Sequence, residues 1–142
     1  MRGEFFDRFN DNPFHQYLGL TLVSAELDRA RLRIVKTETT PQGIGGSING
    51  GVLATLIDMA GVAAVFTNLM PVSQPAGTAD LNVTYLRQAQ GKWVDAEAVV
   101  LKRGRQLCTV EVKVVNDDGL LCATGQVLYA LKAGLSLASE SL

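Results

Sequence analysis

The sequence predicts an α+β fold, one long apolar helix against an antiparallel sheet of about six strands. Three observations carry that prediction. The run Asn49–Met70, NGGVLATLIDMAGVAAVFTNLM, holds a single charge, Asp58, close to its middle. Segments in which apolar and polar residues alternate lie on both sides of that run, the period of strands with one buried face. An Asn-Asp-Asp-Gly sequence at 116–119 separates two such segments, as a hairpin turn does.

A stretch this apolar is either a membrane span or a helix deep inside a fold. An Asp at the bilayer centre costs about 2.5–3.5 kcal/mol on insertion scales. Gly50, Gly51 and Gly61, with Thr55, Thr67 and Asn68, weaken the hydropathy further. The buried helix is the better reading, with no membrane partner. It puts one acid where water is scarce, which makes Asp58 a candidate for catalysis. With 142 residues, 47% of them hydrophobic, the chain reads as a single domain over 1–142 with a core over about 12–131. A formal net charge of −1 gives no field that would attract nucleic acid. No metal or cofactor is expected, because Cys108 and Cys122 are too few and too far apart for zinc and His15 is the one histidine. The two cysteines read as free and buried. MRGEFFDRFN mixes acids and bases without an apolar h-region, which argues against a signal peptide and for a cytoplasmic protein.

The elements follow in order. Asn12-Pro13 starts a helical turn over 14–18 that Gly19 ends, with Asn12 as the N-cap. Strands over 21–25 and 29–36 are joined around Glu26–Asp28. In the second, Arg29, Arg31 and Arg33 alternate with Ala30, Leu32 and Ile34, so the arginines read as a solvated face. A Thr- and Gly-rich loop over 37–47 leads into the central helix, from about Gly50 to Asn68, which Pro71 and Pro75 close off. Strands over 78–86, 93–102, 107–115 and 121–131 complete the sheet, and the tail from Lys132 is small and polar. A helix with almost no polar face must be wrapped by the sheet, and a homodimer is the natural way to cover what the sheet leaves.

Within this order the run Ser47-Ile-Asn-Gly-Gly-Val-Leu-Ala-Thr-Leu-Ile-Asp58-Met-Ala resembles the signature of hotdog-fold thioesterases of the phenylacetic-acid-pathway (PaaI) type, His-Gly-Gly, six residues, then the catalytic acid. Asp80-Leu-Asn-Val-Thr-Tyr-Leu86, Gly104-Arg105, Asp118-Gly119 and the opening Asn12-Pro-Phe-His-Gln-Tyr-Leu-Gly19 are similar to the family as well. Two positions depart from it: Asn49 stands where His is usual, and Gly43 where a polar residue, commonly Asn, is usual. The resemblance implies a hotdog fold, an acyl-CoA substrate, a site at a dimer interface, and a strand Ser or Thr, here Thr78, that helps place water.

The chemistry suits those residues. A thioester needs a group that activates water or attacks the carbonyl, and a group that holds the oxyanion; the thiolate leaves without strong acid help. Asp58 serves the first as general base or nucleophile. Backbone N–H groups at Gly50 and Gly51 serve the second, with Asn49 as N-cap beside them. Asp58 lies roughly 10–12 Å along the helix from those glycines, at 1.5 Å rise per residue. One carbonyl therefore needs the acid of one subunit and the glycine turn of another. Lys102, Arg103 and Arg105 are candidates for the phosphates of coenzyme A, and Val52, Thr55, Leu56, Met59 and Phe66 for the acyl pocket. A homodimer paired into a homotetramer is the expected assembly. Two readings stand beside the thioesterase: a non-catalytic acyl-CoA-binding module, and an acyl-thioester hydratase or dehydratase that would need His15.

Overall fold

The computed structural model describes residues 2–133. Its order is α1 (Arg2–Arg8), a 3-10 turn (Phe9–Asp11), α2 (Pro13–Leu18), β1 (Leu20–Glu26), β2 (Arg29–Val35), a 3-10 turn (Ile44–Gly46), α3 (Gly50–Phe66), β3 (Ser73–Tyr85), β4 (Trp93–Arg103), β5 (Leu107–Asn116) and β6 (Leu121–Ala133). The six strands form one sheet in the order β1-β2-β4-β5-β6-β3, antiparallel at every pairing. The long helix lies across the inner face, as the apolar run requires. Leu56, Ile57, Ala60 and Ala64 of α3 meet Leu32, Ile34, Ala96, Val112 and Val127 of the sheet in a sealed core.

Two glycines set how closely helix and sheet approach. A Cβ on Gly61 would stand 2.8 Å from Val127, and one on Gly125 2.6 Å from Ile57. The sequence shows neither constraint, because each is met by a residue more than 60 positions away.

The local signals read from the sequence act as expected at α2 and at the β5–β6 turn. The Asn12 side chain accepts from the Phe14 N–H at 2.9 Å, and Gly19 closes α2 at φ 70°. Asn116 Oδ1 accepts from the N–H groups of Asp118 and Leu120 at 3.0 and 2.9 Å, with Gly119 at φ 79°. Cys108 faces Tyr129 across the sheet rather than Cys122, and both cysteines are buried and free. Arg31 and Arg33 do lie on the outer face, though each has an acid opposite, Glu97 and Asp95, and Arg33 sits 3.8 Å over the Trp93 ring.

Four elements differ most from the sequence reading, while other strand ends move by a residue or so. Helix α1 has no capping or periodic signal; Phe5 holds it by stacking 4.4 Å from Phe66 at the end of α3. Helix α3 stops at Phe66, where Thr67 Oγ1 turns back to the Ala64 carbonyl at 2.6 Å and accepts from the Asp28 N–H at 2.8 Å. Strand β3 begins at Ser73, so Pro75 lies inside a strand. It is tolerated because β3 is an edge strand, where an N–H on the free side has no partner to lose. Strand β6 takes in Lys132, and the rest of the tail, 134–142, lies outside the described residues.

Candidate active site

Helix α3 carries the site because one stripe of it escapes the sheet. Val52, Leu53, Leu56, Ile57, Ala60 and Gly61 are buried, whereas Thr55, Asp58, Met59 and Val62, at helical spacing, are half-buried. The stripe flanks the inner face of β3, which α3 does not cover, so Leu81 and Tyr85 stay exposed there. Asp58 is thus half-buried at the margin of the core in this protomer, not sealed inside it as its place in an apolar run suggests. Its carboxylate accepts a hydrogen bond from Thr78 Oγ1 at 2.7 Å. The two residues are 20 positions apart, and the geometry of β3 joins them. Its pairing with β6 slips between Pro75 and Gly77 and again between Thr78 and Asp80, so register breaks bracket Thr78. Bulges of this kind re-aim a side chain.

At the other end of α3, Asn49 is the N-cap. Its Oδ1 accepts from the Gly51 N–H at 2.8 Å and the Val52 N–H at 3.3 Å, an arrangement worth about 1 kcal/mol to a helix. That leaves the Gly50 N–H as the first donor of the helix with no protein acceptor among the described residues. Gly50 is glycine because Tyr85 covers it. The ring lies 3.3 Å from where a Cβ would stand, and the hydroxyl donates to the Gly50 carbonyl at 2.5 Å. A groove of about 400 Å³ runs from here between Gly43, Ile48, Tyr85 and Arg87. Position 43 adjoins the cap directly, since a Cβ there would stand 3.6 Å from the Asn49 Cα. The sequence reading singled out neither Tyr85 nor Arg87 for the site, although Tyr85 lies in the family-like run 80–86.

The remaining candidates separate. Lys102, near the end of β4, and Arg105, in the β4–β5 turn, are both exposed. Arg103 is not a free cation. It donates to Asp28 Oδ1 at 2.7 and 3.2 Å and to the Val65 carbonyl at 3.1 Å, closing the C-terminus of α3 where carbonyls lack partners. Val52 and Leu56 belong to the core, and Phe66 packs between Phe5 and Tyr129, while Met59 and Thr55 share the open stripe with Asp58. His15 is buried with Nδ1 2.7 Å from the Phe9 carbonyl, stacked 4.2 Å from the Phe9 ring, away from this stripe.

A helix laid across a six-stranded antiparallel sheet, with an acid in its middle and glycines at its start, is the hotdog α+β architecture. A family profile described as the thioesterase superfamily matches residues 45–123. Two curated relatives and one solved structure agree with it. An esterase candidate of Halobacterium salinarum is 40% identical over 110 residues, covering 75% of this chain and 72% of its own length. The medium/long-chain acyl-CoA thioesterase YigI of Salmonella typhimurium is 29% identical over 133 residues, covering 82% and 84%. The structure of a mutant of the phenylacetic acid degradation protein PaaI from Thermus thermophilus superposes with a TM-score of 0.73 at 26% identity, covering 84% of this chain and 98% of that one. The chain belongs to the thioesterase superfamily and is a thioester hydrolase of the PaaI-like kind. No helix among the described residues is long and apolar enough to cross a membrane.

Proposed function

We propose that the protein hydrolyses acyl-CoA thioesters at a site shared between two subunits, with Asp58 as general base or nucleophile. The Asp58–Thr78 hydrogen bond on the open stripe of α3 carries this reading. A carboxylate with two oxygens has about four acceptor positions. Thr78 takes one, leaving the others for a water or for attack on the carbonyl, while the threonine hydroxyl still has lone pairs to orient that water. The oxyanion falls to the backbone N–H groups at the start of α3. Gly50 is the better donor of the two, since Asn49 already occupies the Gly51 N–H. Losing such a donor costs about 2.7–4 kcal/mol in an acyl-transfer enzyme.

Asp58 and Gly50 of one helix stand too far apart to hold one carbonyl, so the second set of donors comes from another copy. The free edge of β3 supports that arrangement. Thirteen residues long, it leaves a row of backbone groups open and exposes Leu81, Tyr85 and Leu86 beside the stripe. Natural proteins seldom leave such an edge uncovered. A homodimer would close it, and further pairing gives the homotetramer. Lys102 and Arg105 remain candidates for the coenzyme A phosphates, with Arg103 engaged at the helix end, and Met59 for the acyl contact. The hydratase reading loses support because His15 is held under Phe9.

The test is free-thiol release from short-chain, medium/long-chain and aromatic acyl-CoAs, with the oligomeric state measured at assay concentration. The name of the Salmonella relative puts medium and long chains first in the panel. Turnover in a dimeric or larger species that falls by orders of magnitude in Asp58→Asn is the expected result. Acyl-CoA binding without turnover in either protein would leave a binding module, and full activity in a monomer would overturn the shared site.

A further inference from the structure

Helix α3 opens on Gly50-Gly51, and glycine is the residue least able to hold a backbone direction by itself. Side chains nonetheless engage three of the four backbone polar groups of this pair. The Gly51 N–H donates to Asn49 Oδ1 at 2.8 Å, and the Gly51 carbonyl accepts from Thr55 Oγ1 at 3.1 Å. The Gly50 carbonyl accepts from the Tyr85 hydroxyl at 2.5 Å. The Gly50 N–H is the fourth group, and it is the one left open. Behind it, the Asn49 carbonyl accepts from the N–H groups of Val52 and Leu53 at 3.0 and 3.1 Å. Asn49 and Thr55 belong to α3 and its cap, whereas Tyr85 comes from the end of β3, 35 positions away. Its ring carbons lie 3.3 Å from where a Gly50 Cβ would stand, so ring and hydroxyl bear on the same residue. At 52% exposure Tyr85 is not core, and packing alone does not account for its place.

We infer that Tyr85 is a positioning residue for the oxyanion donor at Gly50. The Gly50 carbonyl and the Gly51 N–H lie in one peptide plane. Tyr85 grips that plane at one end and Asn49 at the other. The neighbouring plane, which carries the open Gly50 N–H, is fixed through the Asn49 carbonyl. With both planes held, the two soft torsions of Gly50 are no longer free, and its N–H keeps one direction. A donor aimed in advance stabilises an oxyanion without reorganising at the moment of reaction. Phenylalanine at 85 would fill the same space and leave the plane held at the cap alone. The inference rests on the reading of Gly50 as the oxyanion donor. It explains how a helix that starts on two glycines still presents a defined N–H.

Tyr85→Phe keeps the ring and removes the hydroxyl alone. On whichever acyl-CoA the wild type turns over, kcat is expected to fall by about tenfold with KM changed by less than about twofold. Exchange of the Gly51 amide proton, followed by NMR, should quicken by about fivefold or more, while the amides of β5 keep their rates. The oligomeric state at assay concentration should stay that of the wild type. A kcat within about twofold of wild type, or an unaltered Gly51 exchange rate, would overturn the assignment. So would a loss carried by KM, which makes Tyr85 a substrate contact, or dissociation of the variant, which makes it an interface residue. If Tyr85→Phe fails to fold, Tyr85→Leu removes ring and hydroxyl together and should show the same loss of kcat and the same faster exchange. Should the wild type hydrolyse no thioester, the functional reading fails separately, and the Gly51 exchange rate alone decides whether Tyr85 holds the turn.

Discussion

Asp95 and Asp58 are two acids that the fold draws in from the surface, and they are treated in opposite ways. Asp95, in the middle of β4, is 2% exposed. It accepts two hydrogen bonds from Arg33, at 2.6 and 2.9 Å, with an Arg31 nitrogen at 3.8 Å. The Arg33 guanidinium is held more firmly protonated in return, chiefly by that hydrogen bond and further by the charge of Asp95, against the opposing effect of burial. Asp58 is half-buried and accepts one hydrogen bond, from a neutral hydroxyl. One carboxylate is saturated by cations and holds strands β2 and β4 together. The other keeps most of its acceptor positions open. A buried charge is a stability element when the fold neutralises it and a reactive group when the fold does not.

Changing each acid to its amide tests the contrast most directly. Asp58→Asn should lower kcat by about 10²–10⁴-fold, the usual size of a lost base or nucleophile, while stability to urea moves by less than about 0.5 kcal/mol. Asp95→Asn should do the reverse: kcat within about twofold, stability down by about 2 kcal/mol from the loss of hydrogen bonds to a charged partner. Equal effects at the two positions would erase the distinction. A smaller effect sharpens the difference between the sealed and the open flank of α3. Gly125→Ala forces a Cβ to within 2.6 Å of Ile57 and 2.9 Å of the Asn82 carbonyl. It should cost about 1–3 kcal/mol in a thermal or urea melt, as overpacking does, although it touches nothing in the proposed site directly.

The smallest expected effect is alkaline. Burial pushes up the Cys108 and Cys122 thiols and the Tyr129 phenol. Each folded pKa lies above its unfolded value, about 8.5 for Cys and about 10 for Tyr. The folded chain therefore holds protons that the unfolded chain releases. The stability tied to them is complete below about pH 8 and declines as pH rises through the raised values. The urea midpoint should be lower at pH 10 than at pH 7.5, with little change between pH 6 and 7.5.

Much of the scaffold was readable because its signals are local. Asn12-Pro13 and Gly19 bound α2, Asn116 builds its own turn, and alternation in 29–34 and 107–115 shows which residues face α3. The same locality marked Asp58 as unusual and Asn49 as a cap. What escaped is everything set by partners distant in sequence. Helix α1 exists because of Phe66. Gly50 is small because of Tyr85. Arg103, which looks like a free turn cation, is captured by Asp28 and by the end of α3. A pattern within ten or fifteen residues carries no trace of such encounters, and the alternation of β3 gives no sign of the extra residues in its ladder.

The clasp at Arg103 bears on the order in which the molecule assembles. Its hydrogen bonds span 38 residues to Val65 and 75 to Asp28, and Asp28 is itself tied to Thr67 and Val100. The whole of it is complete only when the β1–β2 hairpin, the last turn of α3 and β4 have met. Contacts that close such long loops contribute nothing early in folding, when chain entropy still opposes them. The clasp is therefore expected to form late, after the folding transition state, and contacts of that kind slow unfolding without quickening folding. In pulse-labelled hydrogen exchange the amides around Asp28 and Thr67 should gain protection after those of the β5–β6 hairpin, so the latch on the central helix acts as a brake on opening.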